Sequence, residues 1–305
     1  MPITLDKVKK LVESAPKTGR KSRFHSLDRI VSNLRSDMRS NISNHMLPWM
    51  LLLDEAVKFF INLEKYYYSR TLTEQTSPFA AQISLTRGCI FSIRELITIG
   101  QQSTTMALSR VFIENTELLM ALAEDPEFAQ AYCKPENSEK FWNKHIGFGK
   151  LTPRVERFIS TATGETKSTN LDHHKRLKSY LSGHIHGSHN AAFRVAFPPS
   201  LEHPGLFHEL PLGSLDTNFP ALCRFIAEET HLFATCMLNI FTKPNPPPAL
   251  ENFIVSDLLG NTITSAHVIQ GLLLEFGERL IVLEDEFKTL ENNEYELSFD
   301  EQQVT

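Results

Sequence analysis

The sequence has few cysteines, and none of them forms a recognisable pair. Cys89, Cys133, Cys223 and Cys236 are scattered along 305 residues, without a CxxC motif or a zinc-type spacing. This scatter excludes a disulfide framework and a cysteine-based zinc site. A buried, reduced thiol is the usual state of such cysteines, so we expect a reducing compartment, most simply the cytoplasm.

The sequence also lacks an apolar segment of membrane-spanning length. The strongest apolar run, residues 47–63, is interrupted by Asp54, Glu55 and Lys58, whereas a membrane helix needs about 20 mainly apolar residues. The N-terminal residues are amphipathic and contain no apolar core of the kind found in a signal peptide. We therefore expect no leader and no association with a membrane.

The alternation typical of β-strands is scarce, and apolar residues recur instead at helical spacings of three and four. Proline is favoured in the first turn of a helix, and Pro48, Pro78, Pro126 and Pro153 each precede such a pattern, with Ser77 as the expected cap before Pro78. The patterns predict an all-α protein, a multi-helix bundle with an irregular Pro-rich crossing and a C-terminal helical segment.

Changes in composition divide the chain into four parts. We expect a basic N-terminal arm with weak helices over residues 1–40 and the main helical bundle over residues 41–242. After a KPNPPP linker, a C-terminal helical segment spans residues 249–290, broken or kinked near Gly260, and an acidic tail spans residues 291–305. Several of these helices are apolar around most of their circumference, which favours a homodimer or another homo-oligomer.

Charge is concentrated at the two ends of a chain whose formal net charge is −5. The first 40 residues hold ten Lys and Arg against four Asp and Glu, and residues 275–305 hold ten acidic residues against Arg279 and Lys288. The overall charge gives no general attraction to nucleic acid. The two ends are either solvated termini or surfaces that meet each other, a protein partner or a polyanion.

Histidine is the most unevenly distributed residue type, because seven of the twelve histidines lie between His173 and His208. His184, His186 and His189 form an HxHxxH pattern that would supply three metal ligands. No carboxylate or distant fourth ligand is identifiable, however. The GHIH tetrad of calcineurin-like metallophosphatases is also present, but without the GDxxD and GNHD motifs those enzymes need. We therefore expect no metal and no cofactor.

Histidine and arginine together suit metal-independent chemistry on a phosphate. Histidine moves a proton near neutral pH, while arginine stabilises developing negative charge. HEPN-type ribonucleases carry this pair as R-x4-6-H, a spacing that chance produces readily. It occurs here at Arg20–His25, Arg39–His45 and Arg224–His231. The Arg224 copy lies on a polar stripe of an otherwise apolar helix, facing either a ligand or solvent.

Arg110 and Glu114 are four residues apart in an apolar helical pattern, so they share one face of a helix. The pair is either an exposed salt bridge of small energy or a buried pair on a substantially buried helix. A buried pair needs a further hydrogen-bonding partner, and a histidine from a neighbouring helix would suit.

Three segments in this order carry a resemblance to a known family: ALSRVFIENTELLMALAEDPEFAQAY, FWNKHIGFGKLTPRVERF and YLSGHIHGS. The order resembles an uncharacterised family of bacterial all-helical proteins with an R-x-x-x-E helix, an acidic residue–Pro stop and a later Ser-x-x-x-His-Gly/Pro-Ser segment. The resemblance covers residues 84–190, about a third of the chain. The matching positions are Arg110, Glu114, Asp125, Pro126, Ser182, His186 and Ser188.

This family is similar in style to HEPN proteins, many of which act in stress and anti-phage systems as RNases or nucleotide-binding modules. The resemblance implies an all-α domain and no established activity. His186 has no arginine four to six residues before it, so Arg110 would have to supply the positive charge from another helix.

The sequence thus leads to two functional hypotheses. In the first, His186 is the acid–base group, Arg110 binds a phosphate-bearing ligand, most simply RNA, and Glu114 orients one of them. The accompanying binding residues are His184, Ser188, His189, Arg224 and His231. In the second, the chain is a non-catalytic helical subunit of a defence or regulatory complex, whose charged ends bind the protein partner.

Overall fold

The computed structural model describes residues 26–74, 76–133, 137–164, 170–185, 218–250 and 256–301. Every regular element within these ranges is a helix, and none of these residues forms a strand. The all-α multi-helix prediction is therefore confirmed. Residues 1–25 of the basic arm and residues 186–217, which include nearly all of the expected Pro-rich crossing, lie outside the described residues.

The helices follow one another through mostly short connections, and a single π-helical turn, Ile42–Met46, joins the first two. In chain order they are α1 Ser26–Asn41, α2 Leu47–Tyr68, α3 Ser77–Ile97, α4 Gln102–Glu124, α5 Pro126–Cys133, α6 Ser138–His145, α7 Thr152–Thr163, α8 Asn170–Ile185, α9 Phe219–Phe241 and α10 Asp257–Glu301.

Helix α2 lies at the centre of the bundle, where it packs against α3, α9 and α10. Its buried residues occur on several sides of the helix, which explains why it needs three neighbours. An aromatic cluster joins α2, α3 and α9 to α7: the ring of Phe233 on α9 lies 6.2 to 6.4 Å from those of Phe59, Phe60, Phe79 and Phe158. These separations lie within the range in which aromatic pairs attract beyond simple burial.

Helix α4 connects this core to a second set of helices, because it packs against α3 and α9 and also against α7 and α8. It ends at Asp125, whose carboxylate accepts a 2.9 Å hydrogen bond from the backbone N–H of Phe128 and so caps α5. The same carboxylate accepts a 2.9 Å hydrogen bond from Arg154 Nε on α7. The Asp125–Pro126 pair, which the sequence predicted to end a helix, therefore also links the start of α5 to α7.

Two details of the predicted helices are wrong. Ser77 does not cap α3, because it is already helical and the capping position is Thr76. The C-terminal helix is also not broken at Gly260 and does not fade at Leu290, since α10 runs without interruption to Glu301. Glycine costs a helix about 1 kcal/mol relative to alanine, and α10 offsets this cost by packing against α2 and α9. Within the described helices we find no stretch with the length and hydropathy of a membrane span.

The aromatic cluster yields the first prediction. Phe233→Ala should lower the free energy of unfolding by about 3–5 kcal/mol, because Phe233 is fully buried among four other rings. Phe91→Ala on α3 is the matched control, since Phe91 is half-exposed and its loss should cost less than about 1 kcal/mol. Urea unfolding of both variants measures the difference, and equal losses would contradict the central place of this cluster.

Candidate functional site

Polar side chains line the contact between α4 and α8. On α4, Arg110, Glu114 and Glu117 follow one another at intervals of four and three residues, so they share one face. On α8, His174, Lys178 and Ser182 follow at intervals of four. The two helices pack against each other, and this brings the two polar rows together inside a mainly apolar bundle.

Arg110 occupies one end of this contact. Its Nε donates a 3.0 Å hydrogen bond to Glu114 Oε1, and its Nη1 donates to the hydroxyl of Ser182 on α8. Ser182 in turn donates to the backbone carbonyl of Lys178 at 2.8 Å. Arg110 is thus partly buried and held from two helices, while Glu114 remains half-exposed. The pair therefore matches neither interpretation fully, because Glu114 is half-exposed and the partner from the neighbouring helix is Ser182, not a histidine.

A buried row of charges continues from this point toward α9. Lys178 Nζ donates to both oxygens of Glu117, at 2.7 and 2.8 Å. The same carboxylate lies 3.4 Å from His174 Nδ1, and His174 Nε2 lies 2.6 Å from Glu229 Oε2 on α9. The buried imidazole thus lies between two carboxylates. With His174 protonated, two cations balance two carboxylates.

The pKa values follow from this arrangement. Burial disfavours charged His174, which is 1 % exposed, but its close contacts with Glu117 and Glu229 outweigh that penalty and raise its pKa to about 9. Burial likewise disfavours charged Glu117, but His174 and Lys178 hold the pKa of its carboxyl below the usual value. His174 is therefore protonated and Glu117 ionised at neutral pH.

A pocket of about 900 Å³ opens beside the row. Lys178, Arg110, Ser182 and the exposed Lys175 line it from α4 and α8, together with the carboxylates of Glu114 and Glu117. The facing wall comes from α5, α6 and the turn that follows α6. That wall is aromatic and contains Tyr132, Phe141, Trp142 and Phe148.

The aromatic wall is anchored to the bundle at its inner end. The ring of Phe141 stacks on that of Phe128 at 5.9 Å, and the guanidinium of Arg154 lies 4.5 Å from the centre of the Phe128 ring on another side. Arg154 also donates a hydrogen bond to Asp125. The end of α4, the start of α5 and the aromatic wall are therefore connected through Arg154 and Phe128.

Three of the predicted site residues, His186, Ser188 and His189, lie outside the described residues. His184 is in the last turn of α8, where its ring meets that of Tyr180 edge-on at 5.9 Å. Among the described residues, no group of three or more His, Cys, Asp and Glu is placed to hold a metal ion.

The other predicted pair, Arg224 and His231, does not belong to this pocket. They are seven residues apart on α9, about 10 Å along the helix axis, and Arg224 Nη1 donates to Glu228 at 2.6 Å. His231 is half-buried, and burial followed by the nearby charge of His267 on α10 lowers its pKa. The structure therefore separates the Arg224 copy of the R-x4-6-H spacing from Arg110.

Sequence reasoning missed Glu117, His174, Lys178 and the aromatic wall. A signal for the first three was present, because Glu117 extends the Arg110–Glu114 face by one turn and His174, Lys178 and Ser182 repeat at intervals of four. Trp142 and Phe148 gave no comparable signal, since a short aromatic segment is more often part of a core.

Comparisons with protein-family models, with curated protein sequences and with solved structures find no significant match to this chain. The resemblance to HEPN-like bacterial proteins therefore rests on the quoted motifs alone.

The buried row generates a prediction about pH. Because the pKa of His174 is raised to about 9 in the folded protein and is about 6.5 when unfolded, its stabilisation is complete below pH 6.5 and is lost as pH rises through 9. At roughly 1.4 kcal/mol per pKa unit, the loss is about 3 kcal/mol. Urea unfolding at pH 6 and pH 9.5 measures it.

The control is a double variant, His174→Gln with Glu229→Gln, which removes one cation and one anion and leaves the row neutral. Its free energy of unfolding should fall less than that of the wild type over the same pH range, by about 3 kcal/mol. Parallel pH profiles would show that His174 does not carry the stabilising charge. His174→Gln alone should cost about 3–5 kcal/mol at pH 6, because it leaves a buried carboxylate without its cation.

Proposed function

We propose that this chain is a phosphate-ligand binding protein, HEPN-like in style, whose pocket between α4, α6 and α8 receives a phosphate group of RNA or of a related ligand. The observation that carries the proposal is a pocket of about 900 Å³ that Arg110 and Lys178 both line. Its volume lies within the range of pockets that hold small ligands.

The charge of the lining favours an anion. Among the lining side chains, Arg110, Lys175 and Lys178 outnumber the carboxylates of Glu114 and Glu117 by one in a chain of net charge −5, and the exposed Lys175 also lies 3.6 Å from Asp172. Protonated His174 lies directly behind Glu117 and partly neutralises it. His174 is itself balanced by Glu229, so the buried row is neutral overall, and the surplus positive charge of the lining is what attracts an anion.

Arg110 is suited to recognise a phosphate. A guanidinium has five N–H donors in a fixed plane, and the contacts with Glu114 and Ser182 use Nε and one Nη of Arg110. The remaining donors can meet phosphate oxygens in the two-pronged geometry that favours arginine over lysine. Because two partners already hold the side chain, binding requires little further ordering.

Ribonuclease activity without a metal would add an acid–base group to this phosphate site. His186 is the predicted group, and it follows Ile185, the last residue of the helix that carries Lys178 and Ser182. In this proposal Glu114 orients Arg110, and His184, Ser188 and His189 contribute to binding. The setting would be a bacterial stress or anti-phage system in the cytoplasm.

Arginine substitution tests the phosphate site. Arg110→Gln should weaken binding of a short single-stranded RNA by about 10- to 100-fold, the cost of losing one or two charge-assisted hydrogen bonds. Arg87→Gln is the matched control, because it removes the same charge from an arginine that pairs with Glu64 outside the pocket. Fluorescence anisotropy measures both, and equal effects would refute the site. With EDTA present, His186→Ala should abolish RNA cleavage and preserve binding.

A second candidate function is favoured by the surface of α10. Leu274 is 79 % exposed, and Ile281 and Val282, seven and eight residues further along the helix, are also exposed. Leu274 and Ile281 are seven residues apart and share one side of the helix. A second copy of the chain that covered this side would make the protein a non-catalytic, homo-oligomeric subunit of a defence or regulatory complex.

Sedimentation tests the second candidate. Leu274→Lys with Ile281→Lys should reduce the mass in solution to that of one chain, 34.7 kDa, because lysine on this side makes the contact too costly to desolvate. Leu85→Lys on α3, at another exposed leucine, should leave the mass unchanged. A wild-type protein that already sediments as one chain would exclude the homo-oligomer.

A further inference from the structure

Trp142, near the end of α6, packs closely against Gly147 in the turn that follows the helix. The ring of Trp142 lies against the backbone of Gly147 so closely that a Cβ on Gly147 would be 2.5 to 2.8 Å from three ring atoms. Any larger residue there would force the indole to shift. One region of the indole is therefore closed by backbone, yet Trp142 is still 47 % exposed and lines the pocket.

The next residue, Phe148, is both exposed and strained. It is 83 % exposed, and its φ of +58° makes it the one non-glycine residue with a left-handed backbone among those that the structure describes. Its ring meets that of Trp142 edge-on, with centroids 5.6 Å apart. A side chain that is left both strained and uncovered indicates a task other than packing.

Two kinds of chemistry thus face each other across one pocket. The wall from α4 and α8 offers cations, and the wall from α6 and its turn offers flat apolar rings. A nucleotide combines a phosphate with a flat base, and bases stack on aromatic side chains largely without regard to base identity. A sugar phosphate would leave the rings uncovered, and an apolar partner would have no use for the cations.

We propose that the ligand unit is a nucleotide whose base stacks against Trp142 and Phe148 while its phosphate meets Arg110 and Lys178. This inference rests on the proposed phosphate site and adds the chemical class of the ligand. The nucleotide is either free or part of a single-stranded RNA, since both present the same base and phosphate.

The intrinsic tryptophan fluorescence of the protein can test this proposal. It has two tryptophans, of which Trp49 is buried in the core and Trp142 lines the pocket. Titration with AMP should therefore quench part of the intrinsic fluorescence, and Trp142→Phe should remove the quenching while the signal of Trp49 remains. The absence of AMP-dependent quenching in the wild type would overturn the proposal.

Three ligands separate this inference from the proposed function. AMP should bind at least about tenfold more tightly than ribose 5-phosphate and than adenosine, because each lacks one of the two contacts. If ribose 5-phosphate binds as tightly as AMP, base stacking is refuted and the phosphate site stands. If adenosine binds as tightly as AMP and Arg110→Gln has no effect, stacking stands and the phosphate site is refuted.

Phe148→Ala is the variant least able to disturb the fold, because its ring is almost fully exposed. It should weaken AMP binding by about threefold or more and leave ribose 5-phosphate binding unchanged. Leu85→Ala, at an exposed residue on α3, should change neither. Equal weakening of both ligands by Phe148→Ala would contradict a contact with the base.

A final titration, with a short RNA, tests whether the nucleotide is free or part of a strand. A pentamer of adenylate that quenches Trp142 at concentrations well below those of AMP indicates an RNA strand, and equal concentrations indicate a free nucleotide. Either result supports the stacking site. If quenching instead depends on protein concentration and not on nucleotide, a second copy of the chain covers the rings and the proposal fails.

Discussion

Glu117 is buried between two cations from one helix, and this contact determines how α8 lies in the bundle. The carboxylate binds Lys178 and also faces His174, and His174 reaches Glu229 on α9. Charges in an apolar interior are tolerated only when they are paired and balanced. Because Glu117 lies on α4, the pairing requires α4, α8 and α9 to keep one relative placement, since a shift of a few ångströms would leave a buried charge without its partner.

The geometry of the pocket depends on these paired charges. Glu117 holds the ammonium of Lys178 at the pocket wall, and Ser182, one turn further along α8, accepts a hydrogen bond from the guanidinium of Arg110. Neither cation depends on a flexible loop for its position. The opposite wall is also anchored in the fold, since Phe141 stacks on Phe128 and Phe128 lies beside Arg154, the partner of Asp125. The motif that ends α4 therefore supports the aromatic wall as well.

Local patterns in the sequence were sufficient for the helices and insufficient for the site. Apolar spacing and proline predicted the helices well, because both act within one or two turns. The uninterrupted α10 depends on contacts with α2 and α9, which spacing around Gly260 does not reveal. The shared face of Arg110 and Glu114 is likewise local, whereas Glu117 and His174 are 57 residues apart in the chain. Their pairing depends on the packing of α4 against α8, and a sequence read one helix at a time does not contain it.

The buried row also explains how the pocket lining keeps a positive balance although the buried Glu117 belongs to it. Protonated His174 and Lys178 balance Glu117 and Glu229, so the row is neutral overall, and Glu229 helps to keep His174 charged through its effect on the pKa. The surplus positive charge of the lining then comes from Arg110 and Lys175, which outnumber Glu114. The same reasoning links ligand binding to the fold, since an anion bound at Lys178 would draw on the pairing that holds α8 in place.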